Sequence, residues 1–396
     1  MNKLNELICK LCPNGVEFIK IGEVVEYEQP SKYIVDSTDY NNDFDVPVLT
    51  AGQTFILGYT SETEGIYNAS KESPVIIFDD FTGAFKWVDF PFKVKSSAMK
   101  ILTVEDQRTF LRYIFHVMGY IGYSSAEHKR LWIGIYSEFK IPLPPVPVQE
   151  EIVRVLDNFT ELTAELTAEL TARKKQYEHY ASNMFPCVKD DSIKWVDLGD
   201  VATVTKLAGF EFTKYVTYSD VGEIIALRGL NVKNGHLVLN DVKYIDNSNL
   251  EMLMRSKLHI GDMLFTYVGT VGQVALIEEN DKYYLAPNVA LVRLTDKRFL
   301  PEYMMYYFLT DKFKQEQIVK LLQASSMQNI PMEKIRKFKL PLISIEEQHK
   351  TIDILQRFDT LCNDISDGLP AEIEARQKQY EYYRDKLLAF EEVSQC

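Results

Sequence analysis

The stretch that decides the fold reads FKIPLPPVPVQEEIVRVLDNFTELTAELTAELTARKKQYEHYASNMF and occupies residues 139–185. Four of the six residues at 142–147 are prolines, which oppose helix and predict an extended entry. Beyond them, apolar residues recur mostly every three or four positions, the spacing of one helix face. Within that face the tetrapeptide Glu-Leu-Thr-Ala occurs three times over 161–172. The pattern predicts one helix over 149–185, roughly 55 Å long at ~1.5 Å per residue.

A second copy, FKLPLISIEEQHKTIDILQRFDTLCNDISDGLPAEIEARQKQYEYYRDKLLAF, occupies residues 338–390. Residues 139–162 have identical or similar counterparts 199 positions later. Farther along, the separation becomes 203, because the second copy carries four extra residues in a Gly-Leu-Pro neighbourhood. The second copy is therefore predicted to form two helices, roughly 346–364 and 370–391, with Pro370 starting the latter.

A β-dominated globule is predicted before each copy, from short runs of β-branched and aromatic residues separated by glycine and proline turns. The second globule opens with residues 192–201, which resemble residues 15–24. Later runs correspond more loosely: 264–265 with 77–78, 288–294 with 97–102, and a helix at 301–317 with one at 106–118. Two unrelated domains joined by helical linkers are the alternative, which the constant offset between the copies disfavours.

The duplication predicts an α+β chain of four segments. They are a first globule with a short N-terminal helix (1–138), a central helical spacer (139–189), a second globule (190–337) and a C-terminal helical spacer (338–396). Because the apolar faces of long helices must be buried, the simplest arrangement packs the two spacers together as an antiparallel coiled coil, with a globule at each end and pseudo-twofold symmetry. The residues expected in helix packing or partner docking are Leu162, Leu166, Leu170, Tyr177, Leu355, Phe358 and Tyr380.

Composition excludes several classes of protein. The 396 residues include 5 scattered cysteines, too few for a disulfide framework, and no apolar run long enough to span a membrane. The start lacks the apolar region of a signal peptide, which favours a cytoplasmic protein. Cys9 and Cys12 have metal-like spacing without a second pair, so both are interpreted as packing thiols, with no metal. The formal net charge of −13 argues against nucleic acid unless basic residues are concentrated locally.

Several motifs resemble the specificity (S) subunit of type I restriction–modification systems. They are residues 11–18 (LCPNGVEF), the proline-rich entry at 142–151, the Thr-Ala-Glu-Leu repeats, residues 173–177 (RKKQY) and residues 365–383. The resemblance covers the whole chain and is specific in the helical stretches but weak in the globules. It departs at 340–347, where most prolines of the first copy are missing.

This resemblance implies a non-catalytic subunit whose globules are target recognition domains, each reading one half of a bipartite, asymmetric site in double-stranded DNA. The helices would set the spacer between the half-sites and dock two methyltransferase subunits, and motor–nuclease subunits would join for cleavage. S-adenosylmethionine, ATP and magnesium would bind to those partners, and the chain itself would need no cofactor. The competing interpretation is an acidic coiled-coil adaptor with two protein-binding domains and no DNA contact, which the net charge favours slightly.

Three pairs of polar loops are candidate DNA contacts, because small polar side chains and backbone N–H groups bind phosphates and base edges. The first pair follows a strand in each globule, the second contains glycines that permit close backbone approach, and the third precedes each helical stretch and is rich in serine. For the serine-rich pair the alternative is a solvated loop, and for the other two pairs it is the glycine punctuation common to the strands of any β domain. The candidates in the first globule are Thr50, Gln53, Thr54, Thr82, Lys86, Ser124, Ser125, Lys129 and Arg130. Those in the second are Arg228, Asn231, Lys233, Tyr267, Thr270, Gln273, Ser325, Ser326, Gln328 and Asn329.

Enzyme classes fit the sequence poorly. A methyltransferase needs a glycine-rich cofactor loop and an Asn/Asp-Pro-Pro-aromatic motif, and neither occurs. A magnesium-dependent nuclease needs clustered carboxylates, and the nearest approach, Asp79-Asp80, aligns near Thr and Tyr in the second globule. The six histidines show no ligand or catalytic spacing. Trp87, Trp132 and Trp195 are expected in the cores rather than against bases.

Overall fold

A computed structural model describes residues 2–50, 54–123, 129–188, 190, 192–322, 329–364 and 367–393. The chain divides into two compact units: unit 1 comprises Met1–Leu166 and Ile373–Cys396, and unit 2 comprises Thr167–Glu372. Both units contain helices and strands, which confirms the α+β class. The unit boundaries cut through two helices, so the division into four segments at 138, 189 and 337 stays a prediction.

Short strands build most of both globules. In unit 1 they are β1 (Glu17–Lys20), β2 (Glu26–Glu28), β3 (Val46–Leu49), β4 (Ile56–Thr60), β5 (Val75–Asp79), β6 (Phe85–Val88), β7 (Lys93–Val94), β8 (Met99–Thr103) and β9 (Lys140–Leu143). In unit 2 they are β10 (Lys194–Asp197), β11 (Ala202–Lys206), β12 (Ile225–Leu227), β13 (Val232–Lys233), β14 (His236–Leu237), β15 (Lys243–Tyr244), β16 (Met263–Thr266), β17 (Val274–Leu276), β18 (Tyr283–Leu285), β19 (Val289–Leu294) and β20 (Lys339–Leu342).

The α-helices range from single turns to one very long element. In chain order they are α1 (Asn2–Leu11), α2 (Leu111–Ile121), α3 (Val146–Met184), α4 (Leu198–Val201), α5 (Gly209–Tyr215), α6 (Pro301–Leu309), α7 (Asp311–Phe313), α8 (Met332–Ile335), α9 (Ile345–Asn363) and α10 (Leu369–Leu388). Of these, α3 and α10 each contribute to both units.

Both units share one strand arrangement, which confirms the duplication. The sheets of unit 1 have the strand orders β2-β8-β5-β6 and β4-β3-β7, and those of unit 2 have β11-β19-β16-β17 and β15-β12-β18. Each three-stranded sheet contains one parallel pair, β3 with β7 and β12 with β18. The correspondences predicted for the later runs are therefore confirmed, since β5 and β8 are the counterparts of β16 and β19. Unit 2 also has the hairpin β13–β14, for which the described part of unit 1 shows no counterpart.

A two-stranded ladder ties the opening of each globule to the segment that enters the helices. Phe18 of β1 pairs with Pro142 of β9, and Trp195 of β10 pairs with Pro341 of β20. These residues hold equivalent positions in the two sequence copies. Proline is tolerated because each ladder has only two strands, so its outer edge needs no N–H group.

The long central helix is confirmed, with one correction at its start. α3 runs without interruption over Val146–Met184 and includes Pro147, so the prediction that all four prolines precede the helix is wrong. Proline fits there because the first-turn N–H groups of a helix have no partner within it. The second copy forms α9 and α10 as predicted, with Pro370 in the first turn of α10.

Other sequence predictions need smaller corrections. The helix expected at 106–118 begins later, as α2, and the one expected at 301–317 ends at Leu309 and is followed by other helical turns. Trp132 is buried, whereas Trp87 and Trp195 are half-buried. Cys12 is buried but Cys9 is exposed, so the prediction of two packing thiols is wrong for Cys9. Among the described residues, the helices are too short or too polar to cross a membrane.

Aromatic side chains pack the helices within each unit. In unit 1, Phe159 of α3 stacks on Tyr383 of α10, with ring centroids 5.2 Å apart. In unit 2, Phe358 of α9 contacts Tyr177 and Tyr180 of α3. Of the other residues predicted for packing or docking, Leu355 is buried, and the following are half-buried: Leu162, Leu166, Leu170 and Tyr380.

A buried glutamine holds the start of each helical stretch against its globule. In unit 1, Gln149 Nε2 donates to the carbonyl oxygens of Arg108 (2.8 Å) and Pro144 (2.7 Å), and Thr109 Oγ1 donates to Gln149 Oε1 (2.7 Å). The second copy has a glutamine at the equivalent position, 199 residues later.

In unit 2 the equivalent residue is Gln348. Its Nε2 donates to the carbonyl oxygens of Arg298 (2.7 Å) and Ile343 (3.2 Å), and the Leu300 N–H donates to its Oε1 (2.9 Å). Both glutamines have no exposed surface. In the sequence, Gln149 and Gln348 are notable only because they lie 199 positions apart. In the structure, each one bonds the start of its helical stretch to its globule, and we call this arrangement the glutamine clamp.

A histidine–aspartate pair joins the globule of unit 1 to its helices. His116 of α2 hydrogen-bonds to Asp157 of α3 (2.8 Å) and to Tyr380 of α10 (3.0 Å). Burial lowers the pKa of His116, and the hydrogen bond to Asp157 opposes that shift. The imidazole is therefore held in its neutral form within the helix packing.

Unit 2 has a histidine–aspartate pair at a non-equivalent place. His236 of β14 lies 3.0 Å from Asp359 of α9. That hydrogen bond raises the pKa of His236, burial opposes the shift, and the charges of Glu278 and Asp364 add to it. The hairpin β13–β14 is thereby fastened to α9 by a pair that favours protonated histidine.

Candidate nucleic-acid interface

A glycine-containing turn closes the same strand pair in both units, as the second loop pair predicted. In unit 1 the turn connects β5 to β6, and the Asp79 carboxylate accepts from the N–H of Phe81 (2.9 Å) and from both N–H (3.3 Å) and Oγ1 (2.7 Å) of Thr82. The Asp79 N–H donates to the carbonyl oxygen of Ala84 (2.7 Å). Thr82 is exposed, but its hydroxyl already supports the turn.

In unit 2 the corresponding turn connects β16 to β17, and threonine replaces aspartate as its organiser. Thr266 Oγ1 donates to the carbonyl oxygen of Thr270 (2.5 Å) and accepts from the N–H of Gln273 (2.9 Å). The Thr266 N–H donates to the carbonyl oxygen of Gln273 (2.9 Å). An aspartate in unit 1 and a threonine in unit 2 thus close equivalent turns, and the residues within the two turns differ.

The segment that precedes each helical stretch is anchored on this turn by one equivalent hydrogen bond. In unit 1 the Leu131 N–H donates to the carbonyl oxygen of Asp80 (2.8 Å), and in unit 2 the Ile330 N–H donates to that of Tyr267 (3.0 Å). The candidates directly before these donors therefore lie next to the turn. They are Lys129 and Arg130, which are exposed, and Asn329, which is half-buried. Candidates outside the described residues are Gln53, Ser124, Ser125, Ser325, Ser326 and Gln328.

The loop after β3 also reaches the turn region of unit 1. Thr50 and Lys86 line the same small cavity of about 30 Å³. The Thr50 N–H donates to the carbonyl oxygen of Phe55 (2.9 Å), which closes the loop that carries the exposed Thr54. Lys86 is exposed on β6 rather than within the turn. The structure therefore brings the described candidates of unit 1 into one neighbourhood.

A buried ion pair stabilises the part of unit 1 that carries these candidates. Lys100 Nζ lies 3.3 Å from Asp80 Oδ2, and both side chains are almost fully buried. Asp80 Oδ1 also accepts from the N–H groups of Leu131 (3.2 Å) and Trp132 (2.9 Å). The carboxylates of Asp79 and Asp80, which come nearest in the sequence to a magnesium-binding cluster, thus hold the turn and the neighbouring segment together. The sequence offered no signal for this role, because an isolated lysine within a strand run is most often exposed.

In unit 2 the first and second loops form the walls of a cleft. The cleft has a volume of about 520 Å³ and is lined by Phe212, Tyr218, Arg228, Gly229, Leu230, Thr266, Val268, Thr270, Pro287 and Asn288. The predicted candidates Arg228 and Thr270 therefore face the same space. Sequence reasoning missed Tyr218, Leu230 and Asn288. The positive φ of Asn288 (71°) is a turn feature that its sequence alone does not announce.

Two of the predicted contacts of unit 2 have internal roles. Asn231 is buried with its amide fully engaged in the loop, so it supports the loop rather than presenting a side chain to a ligand. Gln273 Oε1 accepts from the N–H of Asn234 (3.0 Å) and links the turn to the β13–β14 hairpin. Tyr267 is half-buried, and burial raises the pKa of its hydroxyl. Lys233 is exposed.

Comparison with known families finds one matching description. The family model described as "Type I restriction modification DNA specificity domain" matches residues 13–173 and 192–375. The two matched ranges each contain one globule and part of the helical region, which agrees with the internal duplication.

Similar proteins carry the same description. The chain is 39% identical over 399 residues to the specificity subunit of the type I restriction enzyme EcoR124I/EcoR124II of Escherichia coli, covering 95% of this chain and 94% of that protein. It is 27% identical over 352 residues to a putative type I restriction enzyme specificity subunit of Haemophilus influenzae, covering 85% and 86%.

Solved structures share the fold at low sequence identity. The S subunit of a type I restriction–modification system from M. genitalium matches with a TM-score of 0.55 and 12% identity, over 94% of this chain and 96% of that one. A chain from a study of complex assembly and conformational transition of the type I R-M system matches with a TM-score of 0.58 and 13% identity, over 95% and 98%.

Proposed function

The chain belongs to the specificity subunits of type I restriction–modification systems, which recognise DNA and are non-catalytic, and from this premise we propose that its two units read the two halves of one bipartite, asymmetric site in double-stranded DNA. The family membership supplies the DNA-recognition role. The alternative of an acidic adaptor without DNA contact has no support among the similar proteins.

One observation carries the assignment of the reading surface. In both units an equivalent backbone hydrogen bond joins the glycine-containing turn to the segment before the helices, although the side chains on these elements differ between the units. A constant frame with variable polar side chains suits the reading of two unlike half-sites, because backbone geometry sets the register and side chains select the bases. The candidates for these contacts are those of the three loop pairs described above, with Asn231 and Gln273 in supporting roles.

The helices complete the proposed device. We place α3 antiparallel to α9 and α10, with pseudo-twofold symmetry, so that the helical region sets the spacer between the half-sites. Its half-exposed faces would dock two methyltransferase subunits, and motor–nuclease subunits would join them for cleavage. S-adenosylmethionine, ATP and magnesium would be bound by those partners. The net charge of −13 fits this division, since partner subunits would supply much of the phosphate neutralisation.

Methylation mapping tests the proposal directly. Genomic DNA from the host is sequenced for methylated bases with the chain present, with it deleted, and with residues 192–337 replaced by the equivalent segment of another specificity subunit. We expect a bipartite motif that vanishes on deletion and changes in only one half on replacement. A motif that persists without the chain, or that changes in both halves on replacement, would contradict the proposal.

A further inference from the structure

The loop after β12 is organised before any ligand binds. Asn231 Oδ1 accepts from the Arg228 N–H (3.0 Å), and its Nδ2 donates to the carbonyl oxygens of Val238 and Asp241, both at 2.8 Å. Asn231 has no exposed surface. One buried side chain therefore joins the two ends of the segment from 228 to 241, which flank the β13–β14 hairpin.

The arginine at the start of this loop is held in place as well. Arg228 Nη2 donates to the carbonyl oxygen (2.9 Å) and to Oδ1 (2.8 Å) of Asp241. The Arg228 side chain is 22% exposed, and that of Asp241 is 67% exposed. A free arginine loses rotamer entropy when it is immobilised. Here the folded loop has already restricted the side chain, which is the condition for selective recognition.

The surroundings of Arg228 suit a base edge better than a phosphate. It lines the cleft together with Thr270 and Asn288, which are neutral hydrogen-bonding side chains, and with the apolar side chains of Tyr218 and Leu230. Asp241 compensates the charge of the guanidinium, which weakens its attraction for phosphate. Both Nη2 donors are taken by Asp241, which leaves the Nη1 donors, in the same plane, for an acceptor such as guanine O6 or N7.

We propose that Arg228 is a specificity-determining residue of unit 2 that reads a guanine in the DNA major groove, and that Asp241 is its positioning residue. The inference rests on the proposed DNA-reading function and deepens it. It assigns one residue to base recognition, whereas Lys233, exposed on β13, is expected to contact phosphate.

The test uses the chain assembled with its methyltransferase subunits and a DNA library in which each position of both half-sites is varied singly. Arg228→Ala should lose about 10- to 150-fold of the discrimination at one guanine in the half-site read by unit 2, the effect of one charged hydrogen bond, and nothing in the other half-site. Arg228→Lys should not restore that discrimination, because one ammonium group cannot replace two amines that bond to Asp241 and to the base at the same time. Lys233→Ala, the matched control, should weaken all sequences equally and reduce the salt slope by about 1.

Asp241→Asn separates positioning from simple folding. It should lower discrimination at the same guanine by less than Arg228→Ala does, while hydrogen-exchange protection of β12 and β18 stays unchanged. Uniform weakening by Arg228→Ala across sequences would make the residue a phosphate contact and overturn the inference. An unchanged preference in both Arg228 variants, or an affected position that is not guanine, would overturn it too. If the wild-type complex shows no sequence preference in either half-site, that result contradicts the proposed DNA-reading function itself and not only the role of Arg228.

Discussion

The duplicated glutamine clamp makes a quantitative prediction for Gln348→Ala. The substitution removes an amide that has no exposed surface and three hydrogen bonds. It leaves the carbonyl oxygens of Arg298 and Ile343 and the N–H of Leu300 without that partner. A buried polar group without a partner costs about 1–3 kcal/mol, so three such groups cost at least about 3 kcal/mol even if water relieves part of the loss.

Hydrogen exchange on the intact protein measures this cost where it arises. A loss of about 3 kcal/mol corresponds to exchange at least about 100-fold faster when opening is local. The most direct reporter is the Leu300 N–H, because it donates to the deleted group. Site-resolved exchange is preferable to a denaturant midpoint, since a chain of two units need not unfold in one step.

A matched control lies two turns farther along the same helix. Gln356 is exposed on α9, so Gln356→Ala should leave exchange at Leu300 unchanged and affect stability by a few tenths of a kcal/mol at most. Gln149→Ala should reproduce the effect in unit 1 at the segments around Thr109 and Pro144. Equal exchange at Leu300 in the Gln348 and Gln356 variants would refute the clamp.

Three further predictions follow from other contacts. Because the pKa of His236 is raised, its pair with Asp359 stabilises the hairpin fully below the ordinary histidine pKa of about 6.5 and loses that effect as the pH rises through the raised pKa. Hydrogen exchange in β13–β14, corrected for the intrinsic rate, should therefore become faster over that pH range in the wild type. It should show no such change in Asp359→Asn. Lys100→Met leaves the buried Asp80 carboxylate unpaired and should cost about 3–5 kcal/mol, measured as lost exchange protection around Trp132, and adding Asp80→Asn should recover part of it. Deleting residues 165–168 removes ~6 Å of helix and should shorten the methylated spacer while leaving both half-sites unchanged, and an unchanged spacer would refute the ruler role of α3.

The equivalence of the two units was predictable because it is written as repeated local pattern. The match of residues 192–201 with 15–24 predicted equivalent openings, and the structure places both in equivalent ladders, which pair Phe18 with Pro142 and Trp195 with Pro341. Hydrophobic periodicity predicted α3, α9 and α10 to within a few residues. Pro147 was misassigned because proline opposes helix everywhere except in the first turn, and sequence patterns locate helix starts only approximately.

The candidate interface was predictable as a set of loops but not as individual contacts. Loop positions follow from glycine and polar residues between strand runs, and the structure brings the described loops of each unit together. Which side chains face outward depends on partners far along the chain. Asn231 has the side chain of a base-contacting residue, but in the structure its amide bonds to Val238 and Asp241 within the protein.

The sequence by itself determined the duplication, the alternation of globule and helix, and the family, because these depend on periodicity and on residues at constant offsets. Only the tertiary structure decided that Gln149 and Gln348 are clamps, that Lys100 is buried against Asp80, and that Arg228 is paired with Asp241. The physical reason is range. Secondary structure follows from neighbours within a few residues, whereas burial and ion pairing are settled when distant segments exclude water together.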